Sequence, residues 1–318
     1  MSEPIRNLVF SGGGVRGVAY VGAIEALEST RVLEGVRRVA GASAGAITAG
    51  LLAAAADATS FGRLFRALDF PSFLHDSFGV IGDPFRLWLG YGLHTGKSLS
   101  TWLRDAIAEL TRTSLGTAQP EITLRELHDA ALAGKPVRRF MAVGSNLTHQ
   151  LPEVFSAHAT PSLPLWKAMR ASASFPLVFQ PMTIDGSVFV DGGMTWNYPI
   201  DLFDDRHARP FRGRLAPIDV GERTIGFVLG MQASAVVNEE PVSPTPIGDL
   251  GEFGKALVGF VLDESTRLHS SKDALDRTVF IDDLGLSSTN FEITKAEEDQ
   301  LVTNGKSATT AFLARVPP

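Results

Sequence analysis

Leu8-Val9-Phe10-Ser11-Gly12-Gly13-Gly14-Val15-Arg16-Gly17 and Val36-Arg37-Arg38-Val39-Ala40-Gly41-Ala42-Ser43-Ala44-Gly45 share one plan: a short apolar run, a glycine-bearing turn, then a helical pattern. Leu8 to Ser11 reads as a buried strand, and Val18 to Glu28 places Val21, Ile24 and Leu27 on one side of a helix. Val36 to Ala40 is the second strand. The Ala-rich segment from Ser43 to Ala58 is apolar on nearly every face, which predicts one buried helix. Strand, turn and helix twice in succession predict an α/β fold around a largely parallel sheet.

Phe61 to Tyr91 breaks the pattern. It holds Phe61, Phe65, Phe70, Phe73, Phe78, Phe85, Trp88 and Tyr91 among scattered Pro and Gly. Short helices and loops are expected, with the rings either in the core of a helical layer or forming an apolar lip beside a site. Ser98–Leu110 and Thr123–Leu132 read as amphipathic helices, the second with a Thr123/Glu126 capping box. Phe140–Gly144, Ser187–Val190, Thr224–Gly230 and Thr278–Asp282 read as strands. Trp166–Ser174 reads as a helix stopped by Phe175-Pro176, and Lys295–Phe312 as the last helix. Residues 204–223 and 232–250 lack periodicity and are expected to be surface loops. No repeat or boundary divides the chain, so residues 1–318 are expected to form one domain.

The 318 residues are 44% hydrophobic and carry a net charge of -6. That charge argues against a nucleic-acid partner and against unaided attraction to anionic membranes. The absence of cysteine excludes disulfides and thiolate metal sites. No basic segment precedes a long apolar core near Met1, so no signal peptide is read. The longest apolar stretch, Ala44 to Ala56, is too short and weakly apolar to span a bilayer. A soluble protein, cytoplasmic or at the membrane periphery, is expected.

Gly41-x-Ser43-x-Gly45 would set a serine on a sharp strand-to-helix turn, its glycines avoiding a clash with the opposite limb. Ser43 would then lie at a helix N-terminus, which favours negative charge. The alternative is a tight turn that packs the helix on the sheet. Gly12, Gly14 and Gly17 also fit the dinucleotide fingerprint G-x-G-x-x-G, but Glu34 precedes the second strand instead of closing it. In acyl transfer the same loop would aim the Gly13 and Gly14 amides at a forming oxyanion, with Arg16 adding positive charge or making an ordinary ion pair. For the base, a triad order would leave His207 and His269, both in polar surroundings. Asp191 is the better candidate, since it closes a strand and Gly192-Gly193 lets the backbone turn. Alone, Asp-Gly-Gly reads as a turn.

Gly12-Gly13-Gly14-Val15-Arg16-Gly17, Gly41-Ala42-Ser43-Ala44-Gly45 and Asp191-Gly192-Gly193, in this order, resemble the patatin-like phospholipases. Ala171-Ser172-Ala173-Ser174-Phe175-Pro176, Asn197 and Pro199 add to the likeness, which is strong from about Asn7 to Pro199 (roughly 7–200) and weaker through Asn290-Phe291 and Asn304-Gly305. The resemblance implies a three-layer α/β/α sandwich, a variant of the α/β-hydrolase architecture. It implies a Ser43–Asp191 dyad, an oxyanion loop of Gly12, Gly13, Gly14 and Arg16, and supporting glycines at Gly17, Gly41, Gly45, Gly192 and Gly193. It also implies hydrolysis of phospholipid or other acyl-lipid esters without metal or cofactor, transient contact with a membrane surface, and in some members a protein or small-molecule activator or delivery by a secretion system. A soluble carboxylesterase or thioesterase, a nucleotide-binding module and a non-catalytic storage role stand beside it.

Overall fold

The computed structural model describes residues 4–68, 92–204, 211–212, 222–230, 247–248, 250–267, 272–287 and 293–316. The strands are β1 (Ile5–Phe10), β2 (Arg38–Ala42), β3 (Gly92–His94), β4 (Arg139–Asn146), β5 (Leu151–Ser156), β6 (Leu177–Phe179), β7 (Met182–Ile184), β8 (Ser187–Val190), β9 (Arg223–Leu229) and β10 (Thr278–Ile281). The helices are α1 (Ala19–Ser29), α2 (Val32–Gly35), α3 (Ala44–Ala53), α4 (Ala58–Arg66), α5 (Lys97–Leu115), α6 (Leu124–Leu132), α7 (Leu165–Ser172), α8 (Gly193–Trp196), α9 (Leu250–Arg267), α10 (Lys272–Asp276) and α11 (Lys295–Arg315). Single 3-10 turns cover Gly14–Val18 and Ile200–Phe203.

The main sheet has the order β10-β9-β1-β2-β4-β8-β7, with β5 also paired to β4. From β10 to β4 all neighbours are parallel, while β5, β8 and β7 add antiparallel pairs at one side. Each parallel strand divides its side chains between two cores. Leu8, Phe10, Val39, Ile225 and Phe227 join the core under α1, α3, α4, α5, α7 and α11. Val9, Ala40, Ala42 and Val228 join a second, with Trp196, Tyr198, Ile200, Phe203 and Ala274. A period of two that is apolar on both faces gives three layers. The expected α/β/α architecture is the observed one.

The Ala-rich segment is not one helix. α3 stops at Ala53, Ala55 takes a φ of 81°, and Asp57 starts α4 by accepting the Ser60 N–H at 2.7 Å. Composition alone hides this break, because alanine supports a helix equally on both sides of it. The Thr123/Glu126 capping box is present, with Glu126 N–H to Thr123 Oγ1 at 3.2 Å and Thr123 N–H to Glu126 Oε2 at 2.8 Å. The hairpin partner β5 and the helix α9 are not expected from the sequence. Phe61 and Phe65 are core residues of α4. The aromatic positions from Phe70 to Tyr91 lie outside the described residues, as do nearly all of the two expected loops.

α11 crosses α1 at closest range through glycines. A β-carbon at Gly22 would stand 1.8 Å from Val302 O, and one at Gly305 would stand 2.0 Å from Ala19 O. Helix propensity favours Gly→Ala by ~1 kcal/mol, but a backbone atom cannot yield here, and overpacking costs about 1–3 kcal/mol. Gly22→Ala and Gly305→Ala should therefore lower the urea midpoint. Gly259→Ala in α9, with no described atom within 4 Å of the new methyl, should raise it.

Candidate active site

β2 ends at Ala42 and α3 begins at Ala44, so Ser43 alone makes the reversal. Its φ of 53° and ψ of -125° lie outside the favoured regions for an L-residue, a strain of roughly 1–3 kcal/mol. Two close approaches enforce it. A β-carbon at Gly41 would stand 2.4 Å from Gly45 C, and one at Gly45 would stand 2.2 Å from Phe10 O. The Ser43 N–H donates to Ser172 Oγ at 3.0 Å, and Ser172 Oγ donates to Val143 O at 2.6 Å. A buried hydroxyl thus ties the turn to β4.

Asp191 arrives from the opposite direction. Along β4, Ala42 pairs with Val143 and Val190 pairs with Ser145. Ser145 also pairs with Pro152 of β5, so β8 must occupy the edge of β4 that β2 has just vacated. The ends of β2 and β8 therefore face each other beside Gly144. Ser43 Oγ donates to Asp191 Oδ2 at 2.6 Å, and the Gly193 N–H donates to Oδ1 at 2.8 Å. The Asp191 N–H donates to Ser174 O at 2.9 Å, and the Gly192 N–H to Ser172 O at 3.0 Å. The segment Ser172–Ser174 therefore holds both residues.

Asp191 is fully buried. Burial pushes its carboxyl up to about 7, against the Ser43 and Gly193 hydrogen bonds and the Arg170 charge, which pull it down. Arg170 belongs to none of the sequence motifs. It is buried in α7, donates to Ser174 Oγ at 2.7 Å, and stacks on Phe179 at 5.0 Å. Burial lowers its guanidinium to about 10 and the Asp191 charge opposes that. Its signal was available: it is a cation among the inward positions Leu165, Ala168, Met169 and Ser172 of an amphipathic helix.

The glycine loop lies against this pair. A β-carbon at Gly12 would stand 3.0 Å from Ser43 Cβ. The Gly12 N–H is engaged with Asn197 O at 3.1 Å. Among the described residues, the N–H groups of Gly13 and Gly14 donate to no protein acceptor. Of the loop's amides, these two are therefore free to donate. Arg16 turns away from the serine: Nε donates to Gly13 O at 3.1 Å and the guanidinium pairs with Asp283. Its charge is locally neutralised, and it shapes the loop from behind. Gly17 packs on Ala44 and Phe65.

Of the histidines, His94, His128, His149 and His158 are in the described residues, and none bonds to Ser43 or Asp191. His207 and His269 lie outside them. Among the described residues no group of three His, Asp or Glu side chains is placed to hold a metal ion. No described helix is long and apolar enough to cross a membrane.

The parallel sheet with its serine turn defines an α/β-hydrolase-type fold. The chain belongs to the patatin-like phospholipase family, whose model matches residues 8–204. It is similar along its length to the uncharacterized protein YqhO of Bacillus subtilis (27% identity, 96% of this chain and 97% of that one). It is similar over residues making up 62% of each chain to the probable lipid hydrolase 463L of Invertebrate iridescent virus 6 (25% identity), so it spans under two thirds of that relative. In fold it is similar to VipD from Legionella pneumophila (TM-score 0.59, 20% identity, 98% of this chain and 67% of that one).

A carboxyl raised by burial binds its proton more tightly in the folded chain than in the unfolded one. Stability is then lost as pH rises from the unfolded value near 3.8 toward about 7. Asp191→Asn removes that loss. The variant should gain stability over the native chain between about pH 4 and 7, by up to the order of 4 kcal/mol, with the gain constant above. Urea denaturation at pH 5 and pH 8 checks this.

Proposed function

We propose that the chain is a lipid acyl hydrolase of the phospholipase A or lysophospholipase type, acting through Ser43 and Asp191. One observation carries this reading: the buried 2.6 Å hydrogen bond between Ser43 Oγ and Asp191 Oδ2, beside two uncommitted glycine amides. Asp191 Oδ2 takes the Ser43 proton as Oγ bonds to the ester carbonyl carbon. The charge that develops on the carbonyl oxygen is held by the Gly13 and Gly14 N–H groups and the N-terminus of α3. Collapse breaks the ester bond, and the protonated Asp191 gives its proton to the leaving alcohol. Water then attacks the acyl-serine with Asp191 again as base, releasing a carboxylic acid and restoring Ser43. A base titrating at about 7 is matched to this work near neutrality.

Family membership and the naming of 463L support an acyl-lipid substrate. So does α9, which packs Leu262 toward Gly193 and presents Phe253, Leu257 and Phe260 to solvent at helical spacing. The dinucleotide alternative finds little support, since β2 closes on Ala42-Ser43 and the loop packs against the serine.

A fluorophosphonate should add to Ser43 of the native chain by intact mass and peptide mapping, and not to Ser43→Ala. Asp191→Asn should slow labelling and ester turnover by ~10²–10⁴-fold. kcat/KM on a soluble ester should rise with pH through a midpoint near 7. Leu257→Ser with Phe260→Ser should depress turnover on phosphatidylcholine vesicles and spare a soluble short-chain ester; equal losses would favour a soluble esterase.

A further inference from the structure

We infer that Asn197 is a positioning residue that sets the spacing between the oxyanion loop and the base, and that α9 holds it in place. The inference rests on the acyl-hydrolase reading. Asn197 follows α8 and is buried. Its backbone O accepts the Gly12 N–H at 3.1 Å, which ties it to the loop. Its backbone N–H donates to Ser265 Oγ at 3.0 Å, and its side-chain Nδ2 donates to Thr266 Oγ1 at 2.8 Å. Thr266 Oγ1 spends its own proton on Leu262 O at 3.0 Å, so toward Asn197 it can only accept. That fixes which end of the amide faces α9.

The other end, Oδ1, is buried with no hydrogen-bond partner among the described residues. Such an acceptor is ordinarily unfavourable. Its position shows what it does. A β-carbon at Gly12 would stand 2.2 Å from this oxygen, and one at Gly193 would stand 2.4 Å from it. The oxygen is wedged between two α-carbons, one in the loop and one in the turn whose N–H holds Asp191 Oδ1 at 2.8 Å. Hydrogen-bearing α-carbons offer it weak C–H···O contacts, and any side chain there would be expelled. The glycines of two motifs remote in sequence thus meet one amide. Asn197 touches neither Ser43 nor Asp191 by hydrogen bond, so it acts through the loop and the turn.

Misplacing an oxyanion donor by a fraction of an ångström weakens the transition state and leaves ground-state binding nearly unchanged. Asn197→Ala should lower kcat on a soluble ester by ~10²-fold, within the range for loss of one oxyanion donor, with KM changed less than about twofold. Thr266→Val keeps the shape and removes the acceptor. It should lower kcat about tenfold in the same manner, and Thr266→Ser should restore it. The Asn197→Ala/Thr266→Val double variant should be no worse than Asn197→Ala, because both act through one contact. Native-like kcat in Thr266→Val, additive losses in the double variant, or a loss confined to the melting temperature would overturn the assignment. Failure of Ser43 in the native chain to react with a fluorophosphonate would count instead against the hydrolase reading beneath it.

Discussion

The site depends on one edge of one strand. β4 carries β2 as far as Val143 and β8 from Ser145 onward, the first parallel and the second antiparallel. Two chains running head-on along the same edge must stop where they meet, and each turns there. What turns out of β2 is Ser43, and what turns out of β8 is Asp191. Their separation is therefore a property of sheet register, and a slip of one residue in either strand would send the side chain to the other face. The buried hydroxyl of Ser172 pins the arrangement by bonding Val143 O and the Ser43 N–H together. A hydrogen bond between residues nearly half the chain apart is thus as reliable as a ladder.

The same geometry is electrostatically uneasy. Asp191 is fully buried, and among the described residues only Ser43 Oγ and the Gly193 N–H hydrogen-bond its carboxylate. The nearest compensating charge, Arg170, bonds Ser174 and not the carboxylate. A direct Arg–Asp pair would hold the carboxylate ionised and make it a feeble base. Arg170 favours the ionised carboxylate without bonding to it, and burial remains the larger influence. The strained Ser43 backbone and the raised Asp191 carboxyl both oppose folding, and the doubly apolar sheet and its helices offset them. Such local opposition is where stability is commonly surrendered to activity.

Local patterns were legible and distant ones were not. The strand-turn-helix units at Leu8 and Val36 could be read because each is complete within a few turns of chain, and so could the capped α6. The break at Ala55 could not, since alanine gives no contrast. α9 is not legible because Gly254 and Gly259 interrupt it and apolar residues run around it, so neither periodicity nor propensity marks it. β5 leaves no clear strand signal, since Pro152 disfavours a strand, although it lies in one that pairs with β4. At the site, the serine, the aspartate and the glycine loop announce themselves by residue type. The behaviour of Arg16 does not: its partner Asp283 is far along the chain, and no local pattern distinguishes a charge aimed at a substrate from one already answered.

A base that is a carboxylate needs something to orient it, as an imidazole in a triad is oriented by its acid. If Asp191 is the base, as proposed, the Gly193 N–H takes that part on Oδ1, leaving Oδ2 for Ser43 Oγ. A main-chain amide at the start of a helical turn cannot swing away as a side chain can, so the proposed mechanism needs no third member of a triad once the backbone itself is held. That is why the turn after Asp191 must be two glycines. A β-carbon at Gly192 would stand 2.0 Å from Val143 O, and one at Gly193 would collide with Asn197 and Leu262. The turn is pressed between β4 on one side and α9 on the other, and the pressure is what keeps a two-residue site in order.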